Sequence, residues 1–73
     1  MKKLPISNQI KKLRFLNGEM TQKELADKVG VTRQTIVAIE NCKYSPTLLL
    51  AFEIAQVFDE NLDGVFTYEQ ADQ

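Results

Sequence analysis

Residues 21 to 40, TQKELADKVGVTRQTIVAIE, hold the densest set of backbone start and stop signals in the chain, and they predict two short helices meeting at a tight corner. Thr21 followed three residues later by Glu24 is a capping box, in which a hydroxyl and a carboxylate reciprocally satisfy orphan backbone N–H groups and fix a helix start. Leu25, Ala26 and Val29 then share one face, the apolar stripe of an amphipathic helix. Gly30 ends that helix, because a residue without Cβ takes the left-handed exit conformation cheaply, and Val31 can then turn inward as the plug of the corner. Thr32 is a good N-cap for the next segment. There Ile36 and Ile39 recur at i and i+3, while Arg33, Gln34, Val37 and Ala38 point elsewhere. Two helices, a short turn with Gly and a polar start to the second helix make a helix-turn-helix.

The flanking sequence predicts a small helical bundle around this unit. Asn8 to Leu16 carries Ile10, Leu13 and Leu16 at helical spacing with Lys11, Lys12 and Arg14 between them, and Ser7 is its expected cap. Asn17 and Gly18 signal a turn, completed by Glu19 and Met20. Pro46 and Thr47 open a fourth helix over Thr47 to Phe58, since Pro drives its predecessor out of the helical region and Thr caps well. A short fifth helix is expected over Leu62 to Val65, capped by Asn61. Phe66, Thr67 and Tyr68 favour a strand, and Leu4, Pro5 and Ile6 are the expected extended partner, with Pro5 confining it to an edge. At 73 residues there is room for one domain over residues 1 to 73, with its helix-turn-helix core at about 21–40 and short extended ends at 1–7 and 66–73. A domain of this size buries roughly 60% of its unfolded surface, so it must pack well or self-associate.

With a net charge of −1 and a pI near 5.3, the chain lacks the overall basicity common in nucleic-acid binders, but the distribution reverses that impression. All nine Lys and Arg lie between Lys2 and Lys43 against four acids there, net +5; residues 44 to 73 hold six acids and no base, net −6. The basic side of such a dipolar domain can meet phosphates while the acidic end faces away. MKKLPIS is followed by no apolar run of signal-peptide length, and no stretch approaches a membrane span, so a cytoplasmic protein is expected. One cysteine makes no internal disulfide, and without histidine no common zinc spacing is available; neither metal nor cofactor is expected. There is also no phosphate-binding Gly loop and no nucleophile with an evident base, which disfavours an enzyme.

Several runs occur together in a recognisable order: Leu13-Arg14, TQKELA at Thr21 to Ala26, GVTRQTI at Gly30 to Ile36, IEN at Ile39 to Asn41, KYSPT at Lys43 to Thr47, Ile54-Ala55, and LDGVFTYE at Leu62 to Glu69. On these, the span from Ile10 to Phe66 resembles the Cro/cI-type (XRE-like) helix-turn-helix repressors, especially short single-domain members. The resemblance implies an all-α, five-helix DNA-binding domain of the lambda-repressor type, to which the end segments add an expected two-stranded sheet. The loop between the first two helices is one residue longer than the commonest family spacing.

Groove geometry assigns the contacts, because a recognition helix presents its first turns to base edges in the major groove. Arg33 and Gln34 are the expected base readers: Arg can donate two bonds to guanine and Gln can pair with adenine, each pair worth about 1–3 kcal/mol of discrimination. Val37, one turn on, suits a thymine methyl. Thr32 and Thr35 can donate to phosphate, and Gln22, at the start of the second helix, suits a backbone clamp. Asn41, Lys43 and Tyr44 match family positions that touch neighbouring phosphates. By the same resemblance Arg14 pairs with Glu40, locking the reader helix to the bundle, which makes Arg14 structural rather than a phosphate contact. Cys42 stands where related sequences carry glycine, so either Asn41 takes the left-handed conformation or the helix ends differently. A redox role for its thiol beside Lys43 is disfavoured against an incidental small residue.

In the fourth helix Leu48, Ala51, Ile54, Ala55 and Phe58 suffice for a core stripe, yet Leu49, Leu50, Phe52 and Val57 widen the apolar surface. The expectation is a transcriptional regulator that binds double-stranded DNA, a repressor working as a homodimer on a near-palindromic operator. The alternative is an antitoxin-like or co-regulator module that holds a protein partner through the same helix. A helical module that binds only protein would show no salt-dependent DNA affinity.

Overall fold

The computed structural model describes residues 4–69. A short strand β1 (Ile6–Asn8) leads into helices α1 (Ile10–Leu16), α2 (Gln22–Val29), α3 (Arg33–Glu40), α4 (Leu48–Val57) and α5 (Leu62–Val65), and strand β2 (Phe66–Tyr68) is the last element among the described residues. The five helices and small sheet are those expected; the outermost parts of the expected extended ends, 1–3 and 70–73, lie outside the described residues.

The caps of α2, α3 and α4 follow the sequence signals. Thr21 Oγ1 accepts the Glu24 N–H at 3.0 Å and Glu24 Oε1 accepts the Thr21 N–H at 2.8 Å, completing the capping box. Thr32 Oγ1 accepts the Thr35 N–H at 3.2 Å, and Thr47 Oγ1 the Leu50 N–H at 3.1 Å. Gly30 leaves α2 at φ +76°, and a Cβ there would meet nothing within 4 Å. The requirement for glycine is therefore torsional, not steric.

Every helix contributes to one aliphatic core. Ile10 of α1, Leu25 of α2, Ile36 and Ile39 of α3, Ile54 of α4 and Val65 of α5 are its largest fully buried side chains, and Val31 packs against this core from the corner.

Six expectations need correction. α1 starts at Ile10 rather than Asn8, because residues 6–8 pair antiparallel with β2 in the register Ile6–Tyr68, Ser7–Thr67, Asn8–Phe66. The strand is accordingly Ile6–Asn8, not Leu4–Ile6. Ser7 caps nothing; its hydroxyl donates to Glu69 Oε2 at 2.7 Å, while Asn8 Oδ1 takes the Ile10 N–H at 3.2 Å. Asn61 sits at the N-cap of α5 but makes no side-chain cap bond. On α4, Leu50 belongs to the core and Leu48 to the surface, the reverse of the expected stripe: Leu50 is buried and Leu48 is 68% exposed. The helix begins one residue later than expected, with Thr47 as its cap.

Candidate nucleic-acid interface

The corner between α2 and α3 is built so that the start of α3 is free. Ile36 and Ile39 anchor one side of α3 in the core. Arg33 and Gln34 then fall on the exposed side of its first turn, and Val37, one turn later, is half-buried. Thr32 and Thr35 lie at the same end with their hydroxyl oxygens 3.1 Å apart. Since Thr32 Oγ1 also caps the helix, a phosphate there would be met by hydroxyl protons while the cap stays in place.

What fixes α3 against the bundle is a fork of hydrogen bonds. Arg14 Nε donates to Glu40 Oε2 at 2.8 Å and Nη2 to Oε1 at 3.1 Å, with the side chains only 13% and 9% exposed. The third guanidinium nitrogen, Nη1, donates to the Met20 carbonyl at 2.8 Å. The bidentate geometry is the strong form of an ion pair, and here it closes three elements on one planar group. The longer α1–α2 loop is absorbed at the same place: Gly18 and Glu19 are both left-handed, at φ +76° and +56°, and the Met20 N–H reaches the Arg14 carbonyl at 2.9 Å.

Gln22 joins this network. Its Nε2 donates to Glu40 Oε1 at 3.2 Å, so the side chain expected at the DNA backbone is in the free protein held on the Arg14–Glu40 pair. Asn41, Lys43 and Tyr44 are exposed just beyond α3. Of the two alternatives for the exit from α3, the helix takes neither in simple form: Cys42 itself is left-handed at φ +61°, and Asn41 is not. The Cys42 N–H donates to the Ile39 carbonyl at 3.0 Å and the Lys43 N–H to the Ala38 carbonyl at 2.9 Å, the two bonds of a Schellman motif. This motif satisfies the last carbonyls and turns Lys43 and Tyr44 out of the helix line.

One contact had no anticipating signal in the sequence beyond a cap-forming residue type. Asn8, thirty-one positions earlier, donates Nδ2 to the Ile39 carbonyl at 2.9 Å. Gln22 as a bridge to Glu40 was equally unannounced, because both contacts depend on how distant elements pack.

The fold and corner define a helix-turn-helix domain whose second helix exposes its first turn. A family profile described as helix-turn-helix matches residues 10–65. An uncharacterized HTH-type transcriptional regulator of Methanocaldococcus jannaschii, MJ0272, is 48% identical over 64 residues, covering 88% of this chain and 96% of that protein. An uncharacterized HTH-type transcriptional regulator of Bacillus subtilis, YgzD, is 43% identical over 65 residues, covering 89% and 97%. A protein from Bacteroides fragilis of known crystal structure shares the fold, with a TM-score of 0.72 at 21% identity over 85% of this chain and 98% of that one. The chain belongs to the helix-turn-helix family of DNA-binding transcriptional regulators.

Proposed function

We propose that the chain is a repressor that binds a near-palindromic operator as a homodimer. The observation that carries the reading is the first turn of α3, where Arg33 and Gln34 are exposed on a helix that the Arg14–Glu40 fork holds rigidly. Arg33 and Gln34 read base edges, Val37 offers its exposed part to a thymine methyl, and Thr32, Thr35, Asn41, Lys43 and Tyr44 contact phosphates. Gln22 leaves Glu40 for a phosphate when DNA is bound, and Arg14 keeps its structural partner.

The homodimer reading draws on surface chemistry. Leu48, Leu49 and Phe52 on α4 are 68%, 69% and 51% exposed. Beside them runs a groove lined by Ile6, Pro46, Leu48, Ala51, Leu62 and Phe66, which extends along Tyr68 of β2. A largely apolar face of this kind, interrupted by Ser45, Asp63 and Thr67, calls for a partner on a domain this small. A second copy supplies one while placing two reader helices about 34 Å apart. No step of catalysis is assigned. Among the described residues no helix is long and apolar enough to cross a membrane; the proposed function requires a cytoplasmic protein with access to DNA.

Selection of sites from a random duplex library tests this reading, followed by titration of the selected and a scrambled duplex at two salt concentrations. An inverted repeat with half-sites about 10 base pairs apart, bound far more tightly than the scramble, is the expected result. Failure to enrich any site, with no salt-dependent affinity, would overturn it. Stable co-purification of one defined second protein on the α4 face would favour the co-regulator alternative.

A further inference from the structure

Strand β1 is attached on both sides. Its backbone pairs with β2, and the Gln9 N–H that follows donates to the Val65 carbonyl at 2.8 Å. On the other side the Leu4 N–H donates to the Cys42 carbonyl at 2.9 Å, and Asn8 Nδ2 donates to the Ile39 carbonyl at 2.9 Å. Ile39 lies in the last turn of the proposed reader helix α3, and Cys42 in the exit motif just beyond it. Asn8 is half-buried and uses both halves of its amide, because Oδ1 also holds the first turn of α1 through the Ile10 N–H. Two positions earlier on the same strand, Ile6 lines the apolar groove with Phe66 and Leu62. The proposed self-association face and the end of α3 are therefore joined through a three-residue strand whose backbone is pinned at each end.

We propose that Asn8 is a positioning residue for operator recognition. Its Nδ2 bond to Ile39 transmits the placement of the self-association groove to the reader helix, and so sets the separation and tilt of the two readers. This rests on the homodimer reading above. The Ile39 carbonyl also accepts the Cys42 N–H at 3.0 Å, so loss of the Asn8 donor leaves no orphaned acceptor, and the helix exit stays closed.

Two substitutions separate the roles of the amide. Asn8→Asp keeps an acceptor for the Ile10 N–H and replaces the donor to Ile39 by a carboxylate oxygen that the carbonyl repels; Asn8→Ala removes both bonds without that repulsion. Each is titrated against the selected duplex, duplexes with the half-sites one base pair closer or farther, and a single half-site, with oligomeric state followed by sedimentation. Both variants are expected to stay dimeric and to bind the single half-site within about twofold of the parent. Their penalty for incorrect spacing should fall about fivefold, the scale of one neutral hydrogen bond. A loss shared equally by all duplexes, or an unchanged spacing penalty in dimeric variants, overturns the role of Asn8 alone. A parent chain that is monomeric at operator-binding concentrations removes the homodimer reading and this proposal with it.

Discussion

Arg14 and Glu40 concentrate more of the architecture than any other two side chains. Their bidentate pair is nearly sealed from water, and its loss on one side strands a charge that the other side no longer neutralises. Arg14→Ala or Glu40→Ala is therefore expected to destabilise the domain by about 3 kcal/mol, measured by urea denaturation. Cys42 presents the opposite case. It holds a left-handed conformation that disfavours a side chain, so Cys42→Gly should raise stability by about 1 kcal/mol, and an unchanged or lowered denaturation midpoint would contradict that account. The Arg14–Glu40 pairing was legible only through the family resemblance, both residue types standing at the matching positions. The backbone torsion at Cys42 was foreseen only as a conflict, since sequence names the misfit of a non-glycine exit without saying which residue absorbs it. Asn8 was not legible in its role, because hydrogen bonds between positions thirty-one apart depend on packing that no local pattern encodes.

The division of labour proposed for α3 and its flanks is one that substitutions can resolve. Arg33→Ala should lose preference at particular base pairs, whereas Lys43→Ala should weaken binding to every duplex and reduce the salt slope by about one. Equal loss on all sequences from both variants would undo the separation of base readers from phosphate contacts. Thr32→Ala should cost about 1 kcal/mol of stability through the lost cap, detectable in thermal unfolding with no DNA present. The helix starts of α2, α3 and α4 could be read in advance because a cap is a signal within four residues. The start of α1 could not. Ser7 and Asn8 have the composition of caps, yet the ladder to Phe66–Tyr68 takes their backbone first, and that competition is between segments sixty residues apart. The reversal of Leu48 and Leu50 has a similar origin: α4 is apolar on nearly all sides, so periodicity alone does not choose the buried face.

At the scale of the whole molecule, the proposed self-association rests on the apolar face and is tested there. Leu49→Asp combined with Phe52→Asp is expected to convert a dimer into a monomer in sedimentation, while the thermal midpoint of the isolated domain changes little because both side chains are largely exposed. A dimer that survives the double substitution would locate self-association elsewhere. The segregation of charge along the sequence acts earlier still, before any contact forms. The strand pairing brings the two chain ends together, yet the exposed Lys28, Arg33 and Lys43 belong to the helix-turn-helix and its exit while the exposed Glu53, Asp59 and Glu60 belong to α4 and its exit, so charge is unevenly shared between elements despite a net charge of −1. In the field of a polyanion, such an uneven distribution favours approach with the helix-turn-helix forward, so that more collisions arrive already oriented. The association rate should accordingly fall steeply with added salt.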